Sequence, residues 1–364
     1  MTLAERLSVI DPLPNYSIIN AQQFYPRLIE EINSAESRVD LNFFIVQKDH
    51  HTKPFFEALE NAAKRGVQVR LSYEKFFSSN LRAVIPTYFA FRRYARKVHG
   101  TSIETQRARQ KSETINPLRK NHKKFVVIDP GTENARAYVG GTNMAGHYYN
   151  WRDSMTYVTG DISEALAKDF EKTWNSTNLR ADRYLVGNPK DATEILTDSK
   201  STSQNIERLV QEMDTANRTI LIETSYLRGH KLLDAMRRAK KRNPDIDIKL
   251  LVPHPSVSND ILFRLFPNFW LNPFAMTGAD VYLYGKADNQ FSHAKTIVVD
   301  DLAIVGSSNF VNSTLIGGNA ELIMISKNPY LNSQARDWIL GGIKKSEKYL
   351  PKKRNKNYVI RALS

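Results

Sequence analysis

A short pattern, His-x-Lys-x4-Asp, occurs once in each half of this chain of 364 residues. The first copy covers residues 122–129 and the second covers residues 293–300, and each leads to a glycine-led turn that ends in asparagine, at Asn143 and Asn309. Even the looser pattern His-x-basic-x4-acidic is expected only about 0.1 times by chance in a chain of this composition. Two copies with matching sequels therefore indicate a duplicated fold with one half-site in each copy.

The residues after each motif lysine predict a buried β-strand. At least three of the four are β-branched, and such side chains favour strands. Side chains two positions apart on a strand share a face, so His122 and Lys124 point the same way, as do His293 and Lys295. Each half therefore presents an imidazole beside an ammonium group.

The repeat extends beyond the motifs. A helix-to-strand pattern in residues 28–41 matches residues 209–222, and a helix leading to a strand in residues 55–71 matches residues 232–250. Strand, helix and strand at this spacing are typical of βαβ units. We predict an α/β fold of two repeated halves, each a mixed, largely parallel sheet flanked by helices, related by a pseudo-twofold with the active site between them.

Composition predicts where the halves begin and end. Residues 187–203 are polar and rich in turn-forming residues, so we predict a linker or long loop there. The N-terminal half is then residues 1–186 and the C-terminal half is residues 204–350. Residues 351–364 form a basic C-terminal tail.

The composition also excludes several classes of protein. The absence of cysteine excludes disulfides, thiolate nucleophiles and cysteine-based zinc sites. No apolar run approaches the roughly 18 residues that a membrane-spanning helix needs, and the N-terminus lacks the basic start and apolar stretch of a secretory signal. We therefore expect a cytoplasmic or peripheral membrane protein without a signal peptide or transmembrane helix.

The motif pair resembles the phospholipase D superfamily, whose signature HxKxxxxD is followed by G-[GS]-x-N. Residues 151–153 (Trp-Arg-Asp), followed by Gly160, Phe170 and Trp174, resemble the first-half sequel of bacterial cardiolipin synthases. Residues 319–321 (Asn-Ala-Glu) resemble the Asn-x-Glu of the same family. The resemblance therefore reaches beyond the two motifs into the segments that follow them.

Two departures from the family pattern bear on the substrate and not on the chemistry. Asn312 stands where relatives usually carry arginine, just before Ser313. Residues 223–226 (Glu-Thr-Ser-Tyr) replace the usual Thr-Pro-Tyr. Both histidines and both lysines are present, so catalytic competence is the expectation.

The resemblance implies attack on a phosphodiester through a phosphohistidine intermediate, with the second histidine as general acid and then base. The reference pKa of histidine, near 6.5, lets one ring be neutral and the other protonated. We expect His122 to be the nucleophile and His293 the acid, although the symmetry of the site leaves the opposite assignment open. The resemblance implies no metal ion and no other cofactor.

The candidate catalytic residues form five matched pairs. The lysines would neutralise the phosphoryl oxygens, the asparagines would donate amide hydrogen bonds, and one pair of carboxylates would accept the second N–H of each histidine. Each strand that follows a motif lysine is expected to form a hairpin with the strand that follows it. The other pair of carboxylates, at the far ends of the first strands, is expected to brace these hairpins. The histidine pair is His122 and His293. In the order just given, the other pairs are Lys124 and Lys295, Asn143 and Asn309, Asp153 and Glu321, and Asp129 and Asp300. The alternative for Asp153 and Glu321 is that they are ordinary surface carboxylates.

The substrate is predicted from charge and aromatic content. The net charge is +14, and residues 92–124 hold 11 Lys and Arg against two Glu. A positive field attracts both anionic phospholipid and nucleic acid. The stretches 81–91 and 261–276 are apolar and aromatic, and the prolines and asparagines around Phe266 and Phe269 favour an interfacial loop over packed core.

These features together favour a phospholipase D-like phosphodiesterase or phosphatidyltransferase that acts on phospholipid at an anionic membrane surface, with no obligate protein partner. If glycerol or phosphatidylglycerol is the acceptor, the product is cardiolipin. The first alternative is a phospholipase D-family endonuclease, whose partner is nucleic acid. The second alternative, from another class, is a non-catalytic protein that binds anionic lipid.

Overall fold

The computed structural model describes nine parts of the chain: residues 13–74, 94, 103–107, 120–175, 182–187, 192–197, 203–227, 229–310 and 319–351. The apolar stretch 81–91, Asn312, the tail beyond residue 351 and most of the basic run before the first motif lie outside the described residues. Within the described parts, every helix is too short or too polar to cross a membrane.

The strands form two sheets, one from each half of the chain. The first sheet has seven strands in the order β1-β7-β6-β5-β2-β3-β4, and the second has nine in the order β16-β12-β11-β10-β13-β14-β15-β9-β8. The strands are β1 (Ser17–Asn20), β2 (Arg38–Phe43), β3 (Gln68–Tyr73), β4 (Ile103–Arg107), β5 (Phe125–Ile128), β6 (Arg136–Gly140), β7 (Ser154–Thr159), β8 (Asp182–Val186), β9 (Thr193–Thr197), β10 (Thr219–Glu223), β11 (Asp247–Pro253), β12 (Asp280–Tyr284), β13 (Thr296–Val299), β14 (Leu302–Gly306), β15 (Leu322–Ser326) and β16 (Glu347–Lys348).

Helices flank the sheets. Those with bounds in the described residues are α1 (Ala21–Ser34), α2 (Lys53–Lys64), α3 (Gly146–Tyr149), α4 (Asp161–Asn175), α5 (Ser203–Thr215), α6 (His230–Arg242), α7 (Ile261–Leu265), α8 (Pro267–Ala275) and α9 (Pro329–Ile343). The first of them shows how the sequence defines a helix. Asn20 caps α1 by accepting from the backbone of Gln23, whose side chain accepts from the backbone of Asn20, while Phe24, Leu28 and Ile32 bury one face.

The two sheets repeat the same pattern of strand pairing. In each half, two parallel pairings come from the βαβ region, and they are β2 with β3 and β3 with β4, then β10 with β11 and β11 with β12. The strand that follows each motif then pairs antiparallel with the first of these strands and begins an antiparallel run of three. The predicted mixed, two-half α/β fold is confirmed. The prediction that each sheet is largely parallel is wrong, because in the described residues antiparallel pairings outnumber parallel ones by four to two in the first sheet and by six to two in the second.

Three large clusters of buried side chains form most of the core in the described residues, and a small fourth one includes Phe44 and Tyr148. One lies between the first sheet and helices α1 and α2, and another lies between the second sheet and helices α5, α6 and α8. The third joins both sheets through α4 and α9. Alternation along the strands divides them: Val126 and Ile128 belong to the first cluster, while Phe125 and Val127 belong to the third. The third cluster therefore holds the two halves together.

The predicted linker contains a buried strand. Residues 187–203 include β9, which pairs antiparallel with β15 and buries Ile195 and Leu196. Strand β8, within the predicted N-terminal half, pairs with β9 and so belongs to the second sheet. The prediction of a linker or long loop is wrong here because turn-forming residues surround a short apolar segment that completes the sheet.

Candidate active site

Both motif histidines lie where the parallel strands of their sheet end. Strand β5 runs antiparallel to β2, so His122, just before β5, lies near the end of β2. His293 has the same relation to β10. Ligand sites in open α/β sheets form beyond the carboxyl ends of parallel strands. The topology therefore places each motif at the edge of its sheet that is suited to a ligand.

Backbone hydrogen bonds join the two halves at both histidines. The backbone N–H of His122 donates to the carbonyl of Ala320 (2.8 Å), and that of His293 donates to the carbonyl of Arg152 (2.7 Å). A return bond completes a short parallel bridge at each place. The next residue of each partner segment is one of the predicted carboxylates. Each histidine is thus paired in register with an acidic residue of the opposite half.

The side chains follow this crossed arrangement. The Nδ1 atom of His122 lies 2.8 Å from Oε1 and 2.9 Å from Oε2 of Glu321, and the Nδ1 atom of His293 lies 2.7 Å from Oδ2 of Asp153. All four side chains are buried. Because a carboxylate can only accept, each neutral ring carries its proton on Nδ1 and a lone pair on Nε2. Each half therefore orients the histidine of the other, and Nε2 is left for a substrate.

The two carboxylates are themselves held in place. The hydroxyl of Ser307 donates to Glu321 (2.6 Å), and the backbone N–H of Ser154 donates to Asp153 (2.8 Å). A Cβ atom at Gly141 would lie 2.3 Å from Oδ1 of Asp153, which explains the glycine in the first turn. Burial alone would raise the pKa of each carboxyl, but the partner histidine and a motif lysine hold it below its usual value.

The motif lysines are fully buried beside the histidines. The ammonium of Lys124 donates to the carbonyl of His122 (2.6 Å), while that of Lys295 donates to the carbonyl of His293 and to the hydroxyl of Ser225 (3.1 Å). Burial lowers the pKa of Lys124 to about 7 and that of Lys295 to about 8, against the opposing effect of nearby carboxylates. Buried cations of this kind are suited to bind an anion, which offsets the cost of burial.

Electrostatics link the four basic groups into one site. Burial lowers the pKa of both histidines, and that of His293 falls to about 3. The charge of Lys295 also lowers the pKa of His122, and the charge of Lys124 lowers that of His293, so each motif acts on the other across the halves. Both rings are therefore neutral at neutral pH. The expectation of one neutral and one protonated ring, based on the reference pKa, does not hold for the protein alone.

The motif asparagines have different surroundings. The Oδ1 atom of Asn143 accepts from the backbone N–H of Ile45 (3.0 Å), and its side chain also bonds Tyr148. The Oδ1 atom of Asn309 is buried and has no hydrogen-bond partner within the described parts of the chain. The first asparagine is thus part of the framework next to the site. The side-chain oxygen of Asn309, in contrast, makes no hydrogen bond to the described residues.

The motif aspartates lie at the opposite ends of the strands from the histidines. Asp129 accepts from the backbone of residues 36–38 and from Arg136, and Asp300 accepts from the backbone of residues 217–219. These backbone groups belong to the segments that lead into β2 and β10. Each aspartate therefore fixes the start of the neighbouring strand, and Asp129 also bonds Arg136 of its own hairpin.

Aromatic side chains surround the two rings, and sequence reasoning missed this role. Phe44 packs against His122 with ring centroids 4.6 Å apart, while Trp151, Tyr148 and Phe291 lie within 6.0 Å of His293. The repeat contains a signal for Phe44, because it follows β2 directly, at the edge where ligand sites form. These rings limit the access of water to the histidines.

A buried ion pair across the halves supports the second motif. The guanidinium of Arg152 donates to Glu223 (2.8 Å) and lies between the rings of Tyr284 and Trp338. The hydroxyl of Ser292 donates to the same carboxylate (2.6 Å). Because Arg152 and Ser292 immediately precede Asp153 and His293, this ion pair fixes the segments that carry one histidine–carboxylate pair. The departure noted at residue 223 thus serves the interface between the halves.

Comparison with known families and proteins agrees with this architecture. The family model described as "Cardiolipin synthase, PLD-like domain" matches residues 28–174 and 209–341, one segment in each half. The chain is 28% identical over 311 residues to the major cardiolipin synthase of Bacillus subtilis, covering 80% of this chain and 61% of that protein. It is 27% identical over 312 residues to cardiolipin synthase 2 of Staphylococcus epidermidis, covering 80% and 60%. The chain thus spans about three fifths of the length of these relatives.

Solved structures show the same fold at low sequence identity. A crystal structure of phosphatidylserine synthase from Haemophilus influenzae matches with a TM-score of 0.70 at 12% identity, covering 95% of this chain and 91% of that one. The polyphosphate kinase of Porphyromonas gingivalis matches with a TM-score of 0.58 at 14% identity, covering 88% and 49%. At such identities the likeness shows the fold alone. It shows that the fold of this chain is one found in solved structures.

Proposed function

The chain belongs to the cardiolipin synthase, PLD-like domain family, and we propose that it is a phospholipase D-type phosphatidyltransferase or hydrolase. It cleaves the headgroup-side phosphodiester of a phospholipid and passes the phosphatidyl group to water or an alcohol. The observation that carries the proposal is the crossed pairing of each motif histidine with a buried carboxylate of the other half. This pairing gives the two imidazoles the orientation that nucleophilic and acid–base catalysis require.

In the first step, Nε2 of His122 attacks phosphorus, the bond to the headgroup oxygen breaks, and His293 gives a proton to the leaving alkoxide. Lys124 and Lys295 stabilise the charge on the non-bridging oxygens, and Asn143 and Asn309 complete the polar surroundings. The phosphodiester anion opposes the lysines' effect on the rings, which raises the histidine pKa values and lets His293 carry the proton.

In the second step, His293 removes a proton from water or an alcohol, whose oxygen attacks phosphorus and releases Nε2 of His122. The carboxylate of Glu321 supports the positive charge that the phosphorylated ring carries. Both histidines are paired with a carboxylate in the same way, so the same geometry serves if His293 is the nucleophile and His122 the acid. Because the side chains already provide nucleophile, acid and positive charge, we propose that the reaction needs no metal ion.

A phospholipid substrate is supported by the family and by the surface near the site. The related proteins of Bacillus subtilis and Staphylococcus epidermidis are described as cardiolipin synthases. If glycerol or phosphatidylglycerol is the acceptor here as well, cardiolipin is the product. The net charge of +14 favours an anionic membrane surface as the place of reaction.

The test offers the purified protein phosphatidylglycerol, phosphatidylcholine and single-stranded DNA in parallel, with and without EDTA. We expect release of the lipid headgroup or formation of a transphosphatidylation product, unchanged by EDTA. Single variants His122→Ala and His293→Ala should each lose turnover and keep the fold. Cleavage of DNA without lipid turnover would favour the endonuclease, and lipid binding without any product would favour a non-catalytic protein.

A further inference from the structure

The described residues expose nine large apolar side chains, and six of them lie between residues 261 and 276. Their exposed fractions range from 44% to 72%. We name these six the 261–276 apolar surface, and they are Ile261, Leu262, Leu265, Phe266, Phe269 and Met276. Scattered exposed apolar residues are normal, but a contiguous set marks a surface that contacts a partner or a membrane.

Two short helices build this surface. The break at Pro267 separates α7 from α8, so the stretch that the sequence predicted to be an interfacial loop is helical. Phe263, Leu271 and Phe274 point inward and belong to the core cluster of the second half, and Trp270 packs against it. The exposed residues Ile261, Leu262 and Leu265 lie on α7, Phe266 lies at the break, and Phe269 lies on α8. The segment is thus apolar on two sides, one packed against the core and the other facing solvent.

The two asparagines of the segment are held by hydrogen bonds within the protein. The hydroxyl of Tyr349 lies 2.7 Å from Oδ1 of Asn268 and 2.6 Å from Oδ1 of Asn272, either of which can accept its proton. The carboxylate of Asp260 accepts from the backbone at the start of α7. The one charged residue within 261–276 is Arg264, and it is exposed. A surface of apolar groups with a single cation complements an anionic bilayer, whose headgroups attract cations and whose interior accepts apolar side chains.

The helices that carry the apolar surface reach the site from their inner side. Phe263 and Trp270, on the inner side of α7 and α8, line a small cavity together with Ser225 and Tyr226. Ser225 in turn accepts a hydrogen bond from Lys295 (3.1 Å). The helices therefore stand beside the motif lysine of the second half, where a phosphodiester would bind.

We propose that the 261–276 apolar surface docks on the surface of an anionic phospholipid bilayer and holds the site against it. The phosphodiester of a lipid then reaches the motif lysines while its acyl chains remain among the other lipids. Docking on the bilayer does not depend on turnover, but the placement of substrate rests on the proposed function. Exposed Leu and Phe side chains enter the boundary between headgroups and acyl chains, and Arg264 contacts the anionic headgroups.

The test compares two double variants. Leu265→Ser with Phe266→Ser changes two exposed members of the apolar surface. Leu185→Ser with Leu350→Ser is the matched control, because these two side chains are as exposed but lie elsewhere. Cosedimentation with vesicles of phosphatidylglycerol or phosphatidylcholine measures binding, and gel filtration with light scattering measures mass. Circular dichroism and thermal unfolding check that each variant is folded.

We expect the first variant to lose about tenfold or more in partitioning to phosphatidylglycerol vesicles, and the control to bind like the unchanged protein. Arg264→Gln should weaken binding to phosphatidylglycerol and leave binding to phosphatidylcholine unchanged. Equal binding by both double variants would overturn the proposal. So would a smaller mass for the Leu265→Ser, Phe266→Ser variant with unaltered vesicle binding, because the surface would then join two copies of the chain.

A second substrate separates this proposal from the proposed function. A short-chain phosphatidylglycerol below its micellar concentration requires the site but not a bilayer. We expect the surface variant to turn over this soluble lipid normally and to lose activity on vesicles. Normal turnover of both forms would overturn the docking surface and leave the enzyme. No turnover by any version, with vesicle binding lost only in the surface variant, would overturn the enzyme and support the docking surface.

Discussion

The crossed carboxylates give the sharpest quantitative prediction, through the variant Glu321→Gln. Glutamine has nearly the shape of glutamate and keeps an oxygen that can accept from Nδ1 of His122, but it removes the negative charge. Two unit charges about 4 Å apart interact by about 4 kcal/mol at an effective dielectric constant near 20. The carboxylate lies at hydrogen-bond distance from the ring, so the loss of support for a charged His122 should lower kcat by about 10²- to 10³-fold.

The same variant should change the pH dependence. Glu321 raises the pKa of Lys124, which burial has lowered to about 7. Removing the charge lowers that pKa further, so the lysine loses its proton at a lower pH and the alkaline limb of kcat/KM moves down. A residue that only supported the fold would lower the amount of folded protein without moving this limb.

The assay is initial-rate headgroup release across a pH series, with thermal unfolding to confirm the fold. Glu347→Gln is the matched control, because Glu347 also contacts a histidine, His254 (3.1 Å), but lies on the surface away from the motifs. We expect the control to keep the activity and pH profile of the unchanged protein. Glu321→Gln activity within threefold of the unchanged protein, with the same limb, would refute the role given to the crossed carboxylate.

The remaining predictions concern pH, a glycine and the buried ion pair. Because the motif lysines have pKa values of about 7 and about 8, kcat/KM should fall as pH rises through that range. Bound phosphodiester should shift the alkaline limb of kcat to a higher pH. A flat pH profile up to about pH 10 would contradict both expectations. Gly141→Ala should lower kcat by at least about tenfold, because its Cβ would displace Asp153. Gly341→Ala is the control, because its Cβ would meet no atom within 4 Å. Equal rates for the two variants in a steady-state assay would count against the contact between residue 141 and Asp153. Arg152→Met should lower the free energy of unfolding by about 3–5 kcal/mol, because it leaves Glu223 buried and unpaired. Urea denaturation measures this loss, and an unchanged free energy of unfolding would show that the ion pair does not stabilise the interface.

Most of the fold could be predicted because the internal repeat can be recognised in the sequence. Apolar spacing along residues 28–71 and 209–250 identified the βαβ units, and the β-branched runs after each motif identified the hairpins. The sequence did not show that most strand pairings are antiparallel, because the direction of a pairing depends on which edge of the parallel strands the hairpin joins. It also concealed β9, where two apolar residues amid turn formers carry too little periodicity to predict a strand.

The candidate site was predictable to the level of residues but not of partners. Spacing on a strand put His122 beside Lys124, yet it could not show that Glu321 crosses from the other half to orient the ring. That contact depends on a bridge between segments about 200 residues apart, for which local patterns carry no information. The lowered histidine pKa values were equally hidden, because they arise from burial and from the lysine of the opposite motif.

The central claim is that two histidines from the two halves act on one phosphodiester through a covalent intermediate. The most direct measurement is rapid trapping in neutral denaturant with phosphatidylglycerol labelled in the phosphatidyl group, followed by mass spectrometry of the peptides without exposure to acid. The account predicts an acid-labile, base-stable phosphatidyl adduct on a motif histidine, expected on His122, that is absent from His122→Ala and lengthened in lifetime by His293→Ala. Turnover without any histidine adduct, or an adduct on another residue type, would contradict it.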